Sequence, residues 1–430
     1  MTIIDADRIA AENATAESAH LRDLSHVVEA LARDGVDAER IVDVIAGFSV
    51  AAPSWAVGTG GTRFGRFPLG GEPRTTEEKI DDVAALNDLT RANRAVSLHV
   101  PWDNPSDPAG LREHADSRGI TFDAMNSNTF QDNPSTTADG SVSYKFGSLG
   151  NIDEGARTAA IEHNLEVIAL GEELGSKALT VWLADGTSHP GQADFRGQFE
   201  RVADGLRQIG ARLPADWQLF TEHKPYEPAF YATVNQDWGS SLLLAQAAGP
   251  QASCLVDLGH HLPNTNIEMI VSRLAMIDML GGFHFNDSKY GDDDLTTGSI
   301  KPFQLFLIFH ELVSAGGGQQ VPDLAYMIDQ SHNLKDPLED LIQSTEALLL
   351  AYAQSLVVDR AALASAQEAN DPALAQQVLQ HAYRTDVRPL VAEARRRNGG
   401  ALAPLTTYRA VGYRRAKVAE RGEGAAATGL

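Results

Sequence analysis

Four short segments in the second half of the chain run from apolar residues into a side chain of metal-ligand type. WQLFTEHK reaches Glu222, CLVDLGHH reaches Asp257, GGFHFNDS reaches His284 and YMIDQSHN reaches Asp329. A lone acidic residue at the end of a strand is usually a loop cap. Four deliveries in succession point instead to one hard divalent cation held between neighbouring strands. Three carboxylates and an imidazole suit Mn²⁺, Mg²⁺ or Co²⁺ better than a structural zinc, which favours thiolates.

A second constellation lies beside the first. His260 follows Asp257 by three residues, and KYGDDDL offers Asp292 and Asp294 with one residue between them. With Asp257 as a bridge, these could complete a second ion site, and two adjacent cations can clamp two oxygens of one substrate. Lys224, two residues past Glu222, is expected on the same face, where its charge could polarise a substrate oxygen. His99, Trp55 and Trp182 close three earlier apolar runs. They offer an imidazole and flat faces of the kind a sugar site uses, although core packing would explain each of them taken alone.

Such ligands need strands to deliver them. Eight runs rich in β-branched and aromatic residues fit strands buried on both faces: 48–55, 95–102, 120–127, 177–184, 217–223, 252–259, 281–287 and 324–331. Stretches of helical period lie between them, at 77–93, 156–175, 195–213, 266–280 and 303–316. The alternation predicts an α/β fold, a (β/α)₈ TIM barrel, with the site at the carboxyl ends of the strands. A doubly wound open sheet is the competitor. It would carry a glycine-rich nucleotide turn after its first strand, and GTGGTR (58–63) is neither GxGxxG nor a P-loop.

The expected organisation is an N-terminal helical extension (1–46), a barrel catalytic domain (47–335), and C-terminal helices (336–430) suited to oligomer contacts and ending in a disordered tail, ERGEGAAATGL. The segments 103–118 and 316–323 read as loops.

Composition narrows the function. The chain has 430 residues, 43% of them hydrophobic, enough for a sizeable core. A net charge of −23 argues against nucleic acid and anionic membranes, whose phosphates it would repel. The single cysteine, Cys254, allows no intramolecular disulfide and no thiolate cluster, and reads as a small buried hydrophobe. The N-terminus has no signal-peptide pattern, and no run approaches the ~20 apolar residues of a membrane span. The expected location is the cytoplasm.

The strings PSWAVGTGGTRFGRFP, FDAMNSNTF, LTVWLADG, FTEHKPYEPAFY, CLVDLGHHLPNTNIEMI, GGFHFNDSKYGDDDL and MIDQSHN resemble L-rhamnose isomerase, most closely its bacterial broad-specificity branch, over residues 45–415. The layout is more distantly similar to xylose isomerase. The resemblance implies a homotetrameric aldose–ketose isomerase with two divalent ions per subunit, usually Mn²⁺. It puts Glu222, Asp257, His284 and Asp329 on the structural ion, and His260, Asp292 and Asp294 on the catalytic ion with Asp257 shared. Lys224 then lies near the reacting carbons, His99 takes part in ring opening or sugar binding, and Trp55 and Trp182 form pocket walls. Phe64 is carried by a loop that enters a neighbouring subunit's site.

The implied reaction interconverts L-rhamnose and L-rhamnulose, and other aldoses such as D-allose, L-mannose and L-lyxose, by a metal-assisted 1,2-hydride shift, with Asp329 helping to move hydroxyl protons. An ene-diol route is the chemical alternative. A barrel-type phosphoesterase and a non-catalytic sugar-binding protein are the competing functions. The first would need a basic phosphate-binding surface, and the second would have no use for His260, Asp292 and Asp294.

Overall fold

The computed structural model describes residues 3–58, 67, 69–132, 142–226, 232–330 and 334–424. Each of the eight apolar runs supplies one strand. They are β1 (Ala52–Pro53), β2 (Ala95–Ser97, continued by His99–Val100), β3 (Thr121–Phe122, continued by Met125–Ser127) and β4 (Ala178–Trp182). Then follow β5 (Gln218–Glu222), β6 (Ala252–Asp257), β7 (Leu280–Phe285) and β8 (Ala325–Ile328). Every pairing is parallel and joins consecutive strands. The ring closes at Ala51, which bridges Met327. Its N–H donates to the Tyr326 carbonyl at 2.8 Å, and its carbonyl accepts from the Ile328 N–H at 3.0 Å. The chain is a (β/α)₈ barrel.

One register feature matters for the site. Cys254 pairs with Leu280 but Leu255 pairs with Gly282, so Gly281 is an extra residue in β7. This β-bulge shifts the rest of β7 by one residue and sets His284 opposite Asp257. Without it Asp257 would face Phe283, because a one-residue slip turns every side chain to the other face. A side chain at Gly281 would overlap the Ser253 hydroxyl and lie 2.7 Å from Phe220 Cε1. Phe220, with Leu255 and Ala124, fills the barrel interior, while the larger core lies between the strands and their helices.

The helices begin where their caps dictate. Nine of them among the described residues start at an aspartate whose carboxylate accepts a first-turn N–H: Asp5, Asp37, Asp107, Asp153, Asp194, Asp237, Asp336, Asp359 and Asp371. Such a cap contributes roughly 1 kcal/mol, so part of the acidic excess serves helix starts. Residues 103–118 are a correction to the loop expectation. Pro108–Ser117 is a helix, capped by Asp107 with proline in its first turn, and it buries only Leu111 and Ala115. Another helix that the pattern did not single out, Trp238–Ala248, links β5 to β6.

The N-terminal segment forms two helices, Ala6–Arg33 and Ala38–Gly47. Among the described residues six helices follow β8: Pro337–Val357, Arg360–Glu368, Pro372–Arg384, Arg388–Arg397, Pro404–Val411 and Tyr413–Arg421. The two ends of the chain bind each other. Glu393 accepts from Arg396, Arg397 and His20, and Arg397 also pairs with Glu39 at 2.7 Å. The last helix corrects the tail boundary, because Arg421 belongs to it and is buried. Its guanidinium meets Asp82 at 2.9 Å, Tyr413 donates to the same carboxylate at 2.6 Å, and Gly71 N–H bonds the Gly422 carbonyl at 2.8 Å. The rest of the predicted tail, 425–430, lies outside the described residues. No single helix among the described residues is long and apolar enough to cross a membrane.

Candidate metal centre

Alternation along the strands decides which side chains enter the barrel mouth. Glu222 and Asp257 are the last residues of β5 and β6, His284 is next to last in β7, and Asp329 directly follows β8. Their ligand atoms all lie within 4.8 Å of one another. His284 Nδ1 is 3.1 Å from Glu222 Oε1, 3.3 Å from Asp329 Oδ2 and 3.8 Å from Asp257 Oδ2. An octahedral ion with bonds near 2.1 Å needs donors about 3 Å apart when adjacent and about 4.2 Å apart when opposite. The hard oxygen and nitrogen donors fit such a cation in both chemistry and spacing.

Charge gives the same answer. Burial would push His284 down, yet Glu222 and Asp329 outweigh it and lift the imidazole to about 10. His260 is likewise raised, against burial, by Asp257 and Asp292. Burial lifts Asp257 to about 7, with His260 pulling the other way. Glu222 is lowered, because the two imidazoles overcome its own desolvation. The cluster is thus anionic enough to hold protons on buried histidines, and a divalent cation would neutralise the same field.

Two members of the second predicted set, His260 and Asp292, lie next to the first. His260 Nδ1 lies 3.1 Å from Glu222 Oε1 and 4.0 Å from Asp257 Oδ1, and its Nε2 lies 3.2 Å from Asp292 Oδ1. Asp292 and Asp294 are both buried, and both have positive φ (51° and 49°). A left-handed backbone is uncommon for a non-glycine residue, and aspartate is among those that tolerate it. The intervening Asp293 turns outward and caps the loop by accepting the N–H groups of Lys289, Tyr290 and Gly291. The structure therefore brings His260 and Asp292 to the cluster and buries Asp294 on the same loop. Lys224 is buried and ion-paired with Asp292. Its Nζ also sits 4.9 Å from the Trp182 ring centroid.

The aromatic residues gather on the opposite side of the mouth. Trp55 lies in a short 3₁₀ turn just past β1, and its indole N–H donates to Asp329 Oδ1 at 2.9 Å. Its ring is 5.5 Å from His99, which in turn lies 5.1 Å from Trp102 and 5.7 Å from Phe130. Phe130 packs edge-on against Trp182 at 4.2 Å. His99 is fully buried, and desolvation lowers it to about 4 despite Asp103, so it is neutral. His99 Nδ1 and Trp182 Nε1 are buried with no hydrogen-bond partner among the described residues. Both atoms belong to the aromatic cluster at the barrel mouth, where a ligand's polar groups could meet them. Phe64 lies outside the described residues.

Three contributors were not singled out from the sequence. Asn286 donates its amide to both oxygens of Asp257 at 3.0 and 3.2 Å, and period-two spacing from His284 is the signal that points to it. Phe130 sits within the quoted string FDAMNSNTF, and Trp102 directly follows the loop proline. Both needed the barrel to show which rings they meet.

No family model matches the chain. Two curated relatives do. A probable sugar isomerase of Rhizobium meliloti (strain 1021) is 55% identical over 412 residues, 96% of this chain and 95% of that protein. A probable sugar isomerase of Mesorhizobium japonicum is 55% identical over 421 residues, 98% of this chain and 97% of that protein. Among solved structures, an L-ribulose 3-epimerase superposes with a TM-score of 0.50 at 14% identity, covering 72% of this chain and 95% of that one. That likeness concerns the fold.

Proposed function

The chain belongs to the family of these probable sugar isomerases, and from that premise we propose that it is a divalent-metal-dependent aldose–ketose isomerase of the L-rhamnose isomerase type. It interconverts L-rhamnose and L-rhamnulose and accepts other aldoses such as D-allose, L-mannose and L-lyxose. The observation that carries this reading is the convergence of Glu222, Asp257, His284 and Asp329 within 4.8 Å at the mouth of the barrel. These four would hold one ion. His260, Asp292 and Asp294, sharing Asp257, would hold another, with Mn²⁺ as the expected metal. Bound there, divalent cations supply Lewis-acid polarisation of the two sugar oxygens between which the carbonyl moves.

The protein's own groups do the rest. Trp55, Trp102, Phe130 and Trp182 enclose the sugar's apolar faces and exclude water. His99 Nδ1 and Trp182 Nε1, which have no hydrogen-bond partner among the described residues, bond sugar hydroxyls. Lys224, ion-paired with Asp292, donates to the oxygen on which charge develops. Asp329, at 21% side-chain exposure the most accessible of the four donors, takes the proton from O2 and returns it to O1. The hydrogen on C2 passes directly to C1. Exposed apolar side chains on loops that follow the strands, among them Phe67, Phe146 and Tyr290, would suit subunit contacts, and a homotetramer whose loop bearing Phe64 enters a neighbour's site is part of this proposal.

The test is a chelator-stripped preparation, reloaded with Mn²⁺ and offered a panel of aldoses in D₂O. Ketose should form only with metal and without solvent deuterium at C1 or C2. No turnover of any aldose, or full turnover without metal, defeats the reading.

A further inference from the structure

Behind the aromatic wall lies a buried ion pair. Lys79, on the helix Thr76–Thr90, sits with its Nζ 2.5 Å from Asp103 Oδ1, and both side chains are almost wholly buried. The second oxygen of Asp103 accepts from the Ser54 hydroxyl and from the His99 backbone N–H at 2.9 Å. The Asp103 N–H bonds back to the His99 carbonyl, also at 2.9 Å. Ser54 directly precedes Trp55, so one carboxylate fastens the ends of β1 and β2, the two strands that present Trp55 and His99. Those rings meet at 5.5 Å with planes inclined by 64°. The chain of contacts continues into the metal cluster, since the Trp55 indole N–H holds Asp329 Oδ1.

We propose that Asp103, anchored by Lys79, is a positioning residue that sets the aromatic sugar wall and, through Trp55, orients Asp329. A neutral acceptor could satisfy Ser54 and the His99 N–H, so the ion pair adds something else. It ties both strand ends to a helix of the surrounding layer, and a charged pair in a dry site fixes geometry at a desolvation cost. A shift of about 1 Å in such a wall can cost on the order of a hundredfold in rate. The sugar half of this inference rests on the isomerase reading above, whereas the metal half does not.

The full-length protein tests it with Ser54→Ala, Asp103→Asn and the double variant Lys79→Met/Asp103→Asn, which leaves no buried charge unpaired. In the double variant Tm should stay within about 3 °C of wild type. Its KM for an accepted aldose should rise about fivefold or more with a smaller fall in kcat, and its Mn²⁺ affinity should weaken about threefold, read by calorimetry. Ser54→Ala should move both quantities in the same direction by less. Should Asp103→Asn fail to fold, the other two variants carry the test. A folded double variant with wild-type KM and wild-type Mn²⁺ affinity overturns the proposal. If the wild-type protein turns over no aldose, the isomerase reading fails, and the Mn²⁺ titration still decides the role of Asp103.

Discussion

Replacing Gly281 by alanine perturbs the residue that sets the β7 register. The added methyl would overlap the Ser253 hydroxyl and come within 2.7 and 2.8 Å of two Phe220 ring carbons. Phe220 fills the barrel interior and cannot retreat freely, and Ser253, its backbone held by pairing with β5, can clear its hydroxyl only by changing rotamer. Overpacking of this kind costs ~1–3 kcal/mol, against which the alanine recovers at most about 1 kcal/mol of unfolded-state entropy. The net expectation is a loss of about 1–2 kcal/mol. Urea unfolding of the metal-free protein would show it as a lower midpoint with an unchanged slope. Adding Ser253→Ala removes one of the two clashes, so the double variant should regain about half of the loss. Mn²⁺ affinity should fall alongside stability, since relief by a register slip would turn His284 away from Asp257. A Gly281→Ala protein within about 0.5 kcal/mol of wild type, or a Ser253→Ala change that recovers nothing, would refute the role given to the bulge.

Asp292→Asn should reduce the Mn²⁺ stoichiometry from about two ions to one and remove measurable isomerisation, because it strips a donor from the second ion and the charge partner from Lys224; two ions still bound would contradict the second site. Glu393 gives a pH prediction. Burial would raise its carboxyl, but hydrogen bonds from Arg396, His20 and Arg397 outweigh that and hold it at about 2, against 4.5 ordinarily. Its stabilisation is therefore complete above pH ~4.5 and is lost as the pH falls toward ~2, to the extent of roughly 2 kcal/mol once the half-exposed arginines are allowed for. Urea midpoints measured from pH 7 to 3 should fall less steeply for Glu393→Gln than for wild type, and parallel declines would count against it.

The site was legible where one strand's own alternation determines which way a side chain points. Glu222, Asp257 and Asp329 end apolar runs, so their placement needs no knowledge of a partner strand. His284 shares that pattern, but its position opposite Asp257 depends on Gly281, and a bulge is a relation between two strands that neither states alone. Asp292 and Asp294 were legible as ligand types, whereas the left-handed backbone that buries both and turns Asp293 outward was not. The helix Pro108–Ser117 escaped notice because it buries two side chains and so has almost no apolar period. Its Asp107 cap and first-turn proline were the available signals. Asp103 looked like one more loop acid, since its three partners lie on three separate elements.

The grip of the last helix on Asp82 bears on the order of events during synthesis. Asp82 lies in the helix after the first strand, has no exposed surface and depends on Arg421 and Tyr413 to balance its charge. A ribosome delivers those partners 331 and 339 residues later. Until then the helix Thr76–Thr90 carries an acid whose burial has no balancing charge. A chain shortened before Tyr413 would leave the buried Asp82 carboxylate without either partner, so the helix Thr76–Thr90 is expected to seat less firmly in it.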